Sequence, residues 1–235
     1  MRTPHPIQYQ GSKRNLAPAI LKYFPEKVER IVEPFAGTGA ISIACASAGI
    51  SKTFWLNDYN KALSQLLEMI INEAEELSNF YEMLWNAQHA DSIAHYYKVR
   101  EEFNNTHNPK LLLYLLSRCV KASVRYNNEG YLNQSPDKRR KGAKPHNMRK
   151  NIYGVAFLLK NKTFVSGLDY KEMSTNIKNT DLVYMDPPYQ GVCRNKDNRY
   201  YSSIDHDEFI KFLSELNAKT IPYVISYDGK CGNKK

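Results

Sequence analysis

The sequence has few cysteines and no long hydrophobic run. Its 235 residues include four cysteines, which lie far apart and form no CxxC pair. This scarcity disfavours a disulfide framework and a cysteine metal site, and it favours a reducing compartment. No stretch approaches the roughly 18 consecutive apolar residues of a membrane span, and no apolar signal segment follows Met1. We therefore expect neither membrane association nor a bound metal.

Basic residues outnumber acidic ones and are concentrated in one segment. The formal net charge is +9, and residues 121–150 contain nine lysines and arginines against two acids. Such a charge run is usually a solvated loop. Here, however, tyrosines and asparagines are interleaved with the charges, and these side chains can stack on bases or hydrogen-bond to them. The segment therefore predicts a surface that tracks phosphates, and the residues assigned to it are Arg139, Arg140, Lys141 and Asn147.

The order of apolar segments indicates a parallel α/β protein with an insertion. Residues 30–33 form a short apolar strand, a helix of small residues ends near Gly49, and a second strand ends at Asp58. Residues from 62 to about 160 show helical periodicity and no strand pattern, and strand patterns then return. This order predicts an α/β domain formed by residues 1–61 and 160–235, with a helical insertion at residues 62–159.

A glycine turn lies between the first strand and the first helix. It comprises Pro34, Phe35, Ala36, Gly37, Thr38 and Gly39. Glycines there let the backbone approach a ligand closely, and the helix N-terminus offers unpaired N–H groups. Asp58 lies 21 residues after Gly37, where a Rossmann-type fold places the acid that binds ribose hydroxyls. Ser42 replaces the third glycine of the dinucleotide pattern, so S-adenosylmethionine, a nucleoside with an amino-acid tail, is preferred over NAD.

The segment DLVYMDPPYQG joins a buried strand to a rigid, polar end. Asp186 emerges at the carboxyl end of the strand, which is the edge where open α/β sheets bind ligands. Pro187 and Pro188 restrict φ and remove two N–H groups, so neighbouring carbonyls are free to accept other hydrogen bonds. Tyr189 supplies a flat apolar face. Alone this group is a rigid turn, but together with the glycine turn and Asp58 it predicts a site for the exocyclic amine of a planar base.

These residues predict methyl transfer to that amine. The amino nitrogen of adenine or cytosine is a poor nucleophile because its lone pair is delocalised into the ring. Hydrogen bonds to the Asp186 carboxylate and the Pro187 carbonyl would favour a tetrahedral nitrogen that attacks a sulfonium methyl group in line. In a duplex the amine is stacked, so the base must be flipped out, and Tyr189 is suited to hold it by its face.

Taken in order, the motifs resemble the Dam-like DNA adenine N6-methyltransferases, the alpha group of the D12 class. Besides VEPFAGTGA, LNDYN and VYMDPPY, the segments QYQGSKRNL, GLDYKEM and VRYNNEGYLNQSP are similar to those of the family. The resemblance covers nearly the whole chain. It implies a Rossmann-like S-adenosylmethionine-dependent methyltransferase sheet with a helical target-recognition insertion that binds DNA.

The resemblance also implies roles for individual residues. The residues expected at the cofactor are Tyr9, Lys13, Pro34, Phe35, Gly37, Thr38, Gly39, Asp58, Asp169, Tyr170 and Asp186. DNA contacts are expected from Arg125, Asn127 and Asn133 in addition to the basic cluster. The implied substrate is duplex DNA. A cognate restriction endonuclease and a location in the cytoplasm of a bacterial, archaeal or phage-type host cell are expected as well.

Three alternatives remain open on the sequence. One is methylation of cytosine N4, whose motif more often has serine in place of Asp186, and another is methylation of adenine in RNA. The third is a non-catalytic DNA-recognition subunit. The family continues past VISYDG with strands that complete a seven-stranded sheet, whereas this sequence stops at KCGNKK. We therefore expect a fragment, a short form or a chain whose remaining strands come from elsewhere.

Overall fold

The protein is built around one parallel β-sheet. The computed structural model describes residues 3–122, 125–127, 129–188 and 204–226. The strands in these residues are β1 Arg30–Glu33, β2 Thr53–Asn57, β3 Thr163–Ser166, β4 Asp181–Met185 and β5 Tyr223–Ile225. They pair in parallel in the order β3-β2-β1-β4-β5. The predicted α/β class is confirmed, and β1 and β2 lie where the sequence pattern placed them.

Helices flank the sheet and fill the long connection between β2 and β3. In the described residues they are α1 Ala17–Ile20, α2 Ala40–Ala48, α3 Lys61–Asn72, α4 Ala74–Ala87, α5 Ser92–Thr106, α6 Pro109–Arg118, α7 Pro145–Leu159, α8 Tyr170–Met173 and α9 His206–Ala218. Short polar side chains start several of them, as where Asn60 accepts a hydrogen bond from the N–H of Leu63. None of these helices combines the length and apolar content needed to cross a bilayer.

The strand order reverses at the centre of the sheet. β1 pairs with β2 on one side and with β4 on the other, so a crevice opens at the carboxyl ends of β1 and β4. At the opposite edge, Arg30 donates to the buried carboxylate of Asp181 from Nε at 3.0 Å and from Nη2 at 2.6 Å. This bidentate pair joins the starts of the two central strands and supports their register.

The insertion is helical in its described residues. Its described residues also contain two isolated antiparallel β-bridges, Cys119–Pro136 and Tyr126–Leu132. Its buried apolar side chains belong to the same continuous cluster as those of β1, β2 and α2. Both ends of the segment pack near the sheet, because α3 contacts β3 and α7 contacts α2. The division into a sheet domain and an insertion at residues 62–159 therefore remains a prediction.

Candidate active site

A cavity of about 470 Å³ lies at the carboxyl edge of the sheet. Its walls come from the N-terminal segment, from the turns that follow β1, β2, β3 and β4, and from the start of α9. With the exception of Gly39, every described residue that the sequence assigned to the cofactor or to the reaction lines this cavity. The prediction for Tyr189 lies outside the described residues. The fold thus gathers residues from the whole length of the chain at the crevice between β1 and β4.

The glycine turn forms the wall above β1. Gly37 and Gly39 adopt positive φ angles of 53° and 64°, which side chains with a Cβ rarely tolerate. A Cβ on Gly39 would lie 3.3 Å from the side chain of Leu56, so this glycine lets the turn pack closely on β2. Ser12 Oγ and Thr38 Oγ1 lie 2.9 Å apart and join the N-terminal segment to the turn.

Asp58 holds the glycine turn from the neighbouring strand. Its Oδ2 accepts a hydrogen bond from the N–H of Gly37 and its Oδ1 accepts one from the N–H of Asn60, each at 2.9 Å. The surrounding protein removes water from the carboxylate and raises its pKa to about 6, although the two hydrogen bonds act in the opposite direction. Asp58 therefore has both a structural partner and a position at the cavity wall.

Asn57, the last residue of β2, connects three walls of the cavity and was missed by the sequence interpretation. Its Nδ2 donates to the carbonyls of Pro34 and Leu168, both at 3.0 Å. Its Oδ1 accepts from the N–H of Leu168 at 2.8 Å and from Ser166 Oγ at 2.7 Å. The side chain is fully buried, so these bonds satisfy groups that have no access to water. In the sequence, the signal for Asn57 was a polar residue at the end of an apolar strand.

Aromatic side chains form one end of the cavity. The rings of Phe35 and Tyr170 lie 5.1 Å apart between centroids, and Tyr170 packs edge-on against Phe212 at 5.3 Å. Burial raises the pKa of Tyr170 to about 12, so its hydroxyl is neutral at ordinary pH. Asp169 starts α8 through a capping box. This end offers apolar ring faces beside a carboxylate, an arrangement that suits a purine with an exocyclic amine.

Asp186 follows β4 and forms an ion pair with Lys13. Lys13 Nζ lies 2.8 Å from Asp186 Oδ1, and the two side chains are 12% and 20% exposed. The attraction is stronger here than at an open surface because little water screens it. Pro187 is buried, Pro188 is half-buried, and both line the cavity. The structure therefore places a lysine of the N-terminal segment directly against the carboxylate of the DPPY motif.

Glu33, the last residue of β1, is a second carboxylate of the cavity that the sequence interpretation missed. It is 2% exposed, and its Oε1 accepts a hydrogen bond from the N–H of Ser42, in the first turn of α2, at 2.7 Å. Burial raises the pKa of Glu33 to about 7; the hydrogen bond opposes this shift, and the nearby charge of Asp186 adds to it. An acid at the end of an otherwise apolar strand was the signal for it.

We expect Glu33→Gln to stabilise the protein at alkaline pH. The folded pKa of about 7 exceeds the ordinary value of 4.5 for a glutamate, so the folded state binds this proton more tightly than the unfolded state does. The stability from this group is complete below pH 4.5 and is lost as the pH rises through 7, by about 3 kcal/mol in total. Glutamine still accepts from Ser42 and avoids that loss.

Urea unfolding at pH 5 and at pH 8 measures this effect. The free energy of unfolding of Glu33→Gln, relative to that of the wild type, should rise between the two pH values. A relative stability that is the same at both pH values would contradict the burial of an ionisable Glu33.

The cavity is acidic, although the chain as a whole carries a net charge of +9. The charged residues of its lining are Glu33, Asp58, Asp169, Asp186, Asp205, Glu208, Lys13 and Lys171. This excess of carboxylates favours a ligand with positive charge and disfavours the pyrophosphate of a dinucleotide. Among the described residues no group of histidine, cysteine and acidic side chains has the arrangement of a metal site.

The predicted DNA-contacting segment at residues 125–133 folds as a short antiparallel hairpin in its described part. The N–H of Asn133 donates to the carbonyl of Arg125 at 2.7 Å, and the N–H of Asn127 donates to the carbonyl of Tyr131 at 2.9 Å. The side chains of Arg125 and Asn133 are exposed. Asn127 Oδ1 instead accepts from two N–H groups of its own turn, at 3.0 and 2.9 Å, and so shapes the hairpin.

The hairpin is attached both to the cavity wall and to α5. Asn60 Nδ2 donates to the hydroxyl of Tyr126 at 2.9 Å, and Asn60 itself lines the cavity. On the other side, Asn104 of α5 binds both backbone groups of Leu132, with its Oδ1 2.8 Å from the N–H and its Nδ2 3.2 Å from the carbonyl. The hairpin therefore starts at the edge of the cavity and is supported along its length.

The predicted basic cluster lies in the segment that precedes α7. Arg139, Arg140 and Lys141 are exposed, and so is Asn147 in the first turn of α7. Arg140 Nη2 lies 2.7 Å from Asp137 Oδ2, which is an ion pair within the segment. These side chains are available at the surface, as a contact with phosphates requires.

The parallel sheet, the glycine turn and the cavity at the strand reversal define an α/β protein with the fold of S-adenosylmethionine-dependent methyltransferases. Residues 9–234 match the family described as D12 class N6 adenine-specific DNA methyltransferase. The match spans most of the chain, and the protein belongs to this family.

Curated relatives agree with this assignment. The type II methyltransferase M.MjaIII of Methanocaldococcus jannaschii is 24% identical over 94% of this chain and 82% of its own length. The modification methylase StsI of Streptococcus sanguinis is 24% identical over 94% of this chain and 35% of its own length. A DNA adenine methylase of Escherichia coli is 29% identical over 78% of this chain and 64% of its own length. The predicted enzyme class, an adenine-specific DNA methyltransferase, is confirmed.

Proposed function

We propose that the protein transfers the methyl group of S-adenosylmethionine to N6 of an adenine flipped out of duplex DNA, and that the transfer takes place in the cavity at the ends of β1 and β4. The position of Asp186 carries this proposal. Its carboxylate lines the same acidic cavity as the glycine turn and Asp58. An acceptor for the target amine thus lies beside a wall suited to a nucleoside, as direct transfer between two bound molecules requires.

The residues of the cavity fit S-adenosylmethionine. The Asp58 carboxylate offers acceptors for ribose hydroxyls, the rings of Phe35 and Tyr170 offer apolar faces for adenine, and Asp169 offers an acceptor for the adenine amine. The acidic lining favours a ligand that carries a sulfonium and an ammonium group. When bound, S-adenosylmethionine supplies an electrophilic methyl group on its positively charged sulfur.

Asp186 and the carbonyl of Pro187 activate the amine of the target adenine. Hydrogen bonds from its N6–H groups to these two acceptors favour a tetrahedral nitrogen with a localised lone pair. As the new N–C bond forms, the bond between the methyl carbon and sulfur would break and leave its electron pair on sulfur, so the positive charge would pass to N6, where the Asp186 carboxylate would stabilise it. The proton that N6 must then lose departs along the hydrogen bond to Asp186. Lys13 holds the carboxylate in place before the adenine arrives.

Base flipping follows from the depth of Asp186. Its side chain is only 20% exposed and faces a cavity, so an adenine stacked within a duplex cannot reach it. Pro188 lines the same cavity and Tyr189 follows it in the sequence, so the stacking role of Tyr189 is retained as part of the proposal.

We expect the affinity for S-adenosylmethionine to fall as the pH drops below about 6. Ribose hydroxyls donate to Asp58, so binding requires the ionised carboxylate, whose pKa is raised to about 6. The affinity is therefore complete above pH 6 and decreases below it by up to about tenfold per pH unit. Isothermal titration calorimetry between pH 5 and pH 8 measures this dependence.

Asp58→Asn serves as the control for that titration. This variant should bind S-adenosylmethionine more weakly, and its affinity should not change near pH 6. A change of affinity near pH 7 that persists in the variant belongs to Glu33. If the wild type and Asp58→Asn share the same step near pH 6, Asp58 does not bind the ribose.

The DNA surface that we propose comprises the hairpin at residues 125–133 and the basic cluster before and at the start of α7. Arg125 and Asn133 project from the hairpin, which starts at the cavity edge, while Arg139, Arg140, Lys141 and Asn147 contact the backbone or bases further along the duplex. Asn127 contributes its remaining donor as well as shaping the turn.

A cognate restriction endonuclease is the proposed biological partner. Two of the relatives are named as a type II methyltransferase and a modification methylase, which supports this role. Plasmid DNA methylated by the protein should resist one sequence-specific endonuclease encoded beside it, and undiminished cleavage by every such endonuclease would contradict the partnership.

A methyl-transfer assay with product analysis tests the proposed reaction. Labelled S-adenosylmethionine and duplex DNA of mixed sequence are incubated with the protein, and the nucleosides are digested and identified. We expect N6-methyladenine. N4-methylcytosine would show that the target is cytosine rather than adenine. Label found only with an RNA substrate would contradict DNA as the substrate. Cofactor binding without any methylated product would indicate a recognition subunit.

A further inference from the structure

Buried side chains of the helical insertion hold the main chain of the basic loop, defined here as residues 137–143. The loop carries four consecutive cationic side chains, and all of them are exposed: Lys138, Arg139, Arg140 and Lys141. Beneath them, the carbonyls of residues 137, 140, 141 and 143 all accept hydrogen bonds from side chains of α6, of α4 and of Gln88, which directly follows α4. A merely solvated charge run would not need such an attachment.

Arg118, the last residue of α6, makes two of these four contacts. It is 1% exposed, and its Nη1 donates to the carbonyl of Asp137 at 3.0 Å and to the carbonyl of Arg140. Its Nη2 donates to the carbonyl of Ser92 at 3.3 Å. Its own carbonyl accepts from the N–H of Asp137 at 2.7 Å. A buried guanidinium that binds backbone carbonyls fixes a loop and also adds positive charge beneath it.

Tyr81 of α4 and Gln88, which directly follows α4, complete the attachment. Gln88 Nε2 donates to the carbonyl of Lys141 at 3.2 Å, and the Tyr81 hydroxyl donates to the carbonyl of Ala143 at 2.7 Å. Both side chains are fully buried. The loop is therefore tied to the helices at both of its ends and in its middle.

Gly142 shows how closely the loop approaches α6. Its φ is 82°, and a Cβ at this position would lie 2.8 Å from Ser117 Oγ and 3.2 Å from Arg118 Cδ. An alanine there would strain the backbone and push the loop away from the guanidinium. The close approach and the carbonyl contacts are independent signs that the loop has one defined conformation.

We propose that Arg118 is a positioning residue for DNA binding, which holds the basic loop so that its four cationic side chains meet consecutive phosphates of the duplex. This inference rests on the proposed contact between the loop and DNA. A loop that is ordered before binding loses little conformational freedom when it meets the phosphates, and so it binds more tightly than the same charges on a loose chain.

The variants Arg118→Met and Gly142→Ala test this role. Methionine keeps the apolar volume of Arg118 and removes its donors, whereas alanine displaces the loop and leaves the core of the insertion unchanged. We expect each variant to bind duplex DNA about tenfold more weakly by fluorescence anisotropy, with kcat at saturating DNA and S-adenosylmethionine affinity unchanged. Trypsin should also cleave between residues 138 and 142 faster than in the wild type, because the basic side chains lie on a released chain.

Controls separate the inference from the proposed DNA contact. Lys52→Met removes an exposed charge at the amino edge of the sheet, opposite the cavity, and should leave DNA affinity unchanged. Replacement of Arg139, Arg140 and Lys141 together by glutamine tests the contact itself. If that triple variant weakens DNA binding while Arg118→Met and Gly142→Ala do not, the contact stands and the positioning role is overturned. Equal losses of DNA and cofactor affinity in Arg118→Met would make Arg118 a general core residue and would also overturn it.

Discussion

Asp186→Ala is expected to lower the rate of methyl transfer by about 10³-fold or more while changing the affinity for S-adenosylmethionine by only a few fold. The carboxylate accepts from the target amine and stabilises the positive charge that develops on N6, so its loss acts chiefly on the transition state. The cofactor keeps its proposed contacts with Asp58, Phe35 and Tyr170. Single-turnover transfer of labelled methyl groups gives the rate, and isothermal titration calorimetry gives the affinity.

The ion pair with Lys13 makes a control necessary for this variant. Removal of Asp186 also removes its contact with Lys13 at 2.8 Å, so an effect through the N-terminal segment has to be separated from the loss of the carboxylate. Lys13→Met removes the cation that orients the Asp186 carboxylate but keeps the carboxylate itself, so it should lose much less activity than Asp186→Ala. Asp207→Ala, which removes an exposed aspartate of α9 outside the cavity lining, should behave as the wild type. Turnover retained in Asp186→Ala would remove Asp186 from the reaction.

Neutralisation of the basic loop is expected to produce the second large effect. With Arg139, Arg140 and Lys141 all changed to glutamine, the Kd for duplex DNA should rise on the order of 10²-fold at moderate salt. The slope of log K against log salt should become shallower by about 2.7, because each cation that meets a phosphate contributes about 0.9. Fluorescence anisotropy over a range of salt concentrations measures both quantities.

A matched variant controls for the change in net charge. Lys22, Lys52 and Lys211 are exposed residues outside the proposed DNA surface, and their joint replacement by glutamine removes the same formal charge. This control should keep most of the salt slope. Equal slopes for the loop variant and the wild type would leave the loop as a solvated segment that does not contact DNA.

The sequence allowed prediction of those features whose signals are local. The alternation of strands and helices gave the parallel sheet, and the ends of two strands gave Asp58 and Asp186. Asp186 is followed by two prolines, which mark a turn, and Asp58 comes directly after β2. The carboxyl ends of parallel strands meet at one edge of the sheet. The described residues that the motifs indicated therefore line one cavity, with the exception of Gly39.

Contacts between distant segments could not be predicted in the same way. Lys13 and Asp186 lie far apart in the sequence, and no sequence pattern indicates that they form an ion pair. Asn57 and Glu33 each appear as one polar residue at the end of an apolar strand, which the start of a turn explains equally well. Only the fold shows that Asn57 binds the backbone of two other turns.

The basic loop is a further case in which contacts with distant segments could not be predicted from the sequence. Its charges are evident in the sequence, but charge alone does not distinguish a solvated chain from an ordered surface. The distinction depends on carbonyls that Arg118 and other buried side chains bind from outside the segment. Every residue has a backbone carbonyl, so the sequence does not indicate which carbonyls a distant side chain binds. This attachment could therefore be found only in the structure. Asn127 is a related case, since its Oδ1 shapes the hairpin and its contact with DNA stays a prediction.

A structure of the protein with duplex DNA and a non-reactive S-adenosylmethionine analogue tests the account most directly. The measured quantity is the position of both ligands relative to the cavity. We predict ribose hydroxyls within hydrogen-bond distance of Asp58 and the N6 amine of an extrahelical adenine within hydrogen-bond distance of Asp186. An analogue bound outside this cavity, or a target adenine that remains stacked in the duplex, would contradict the account.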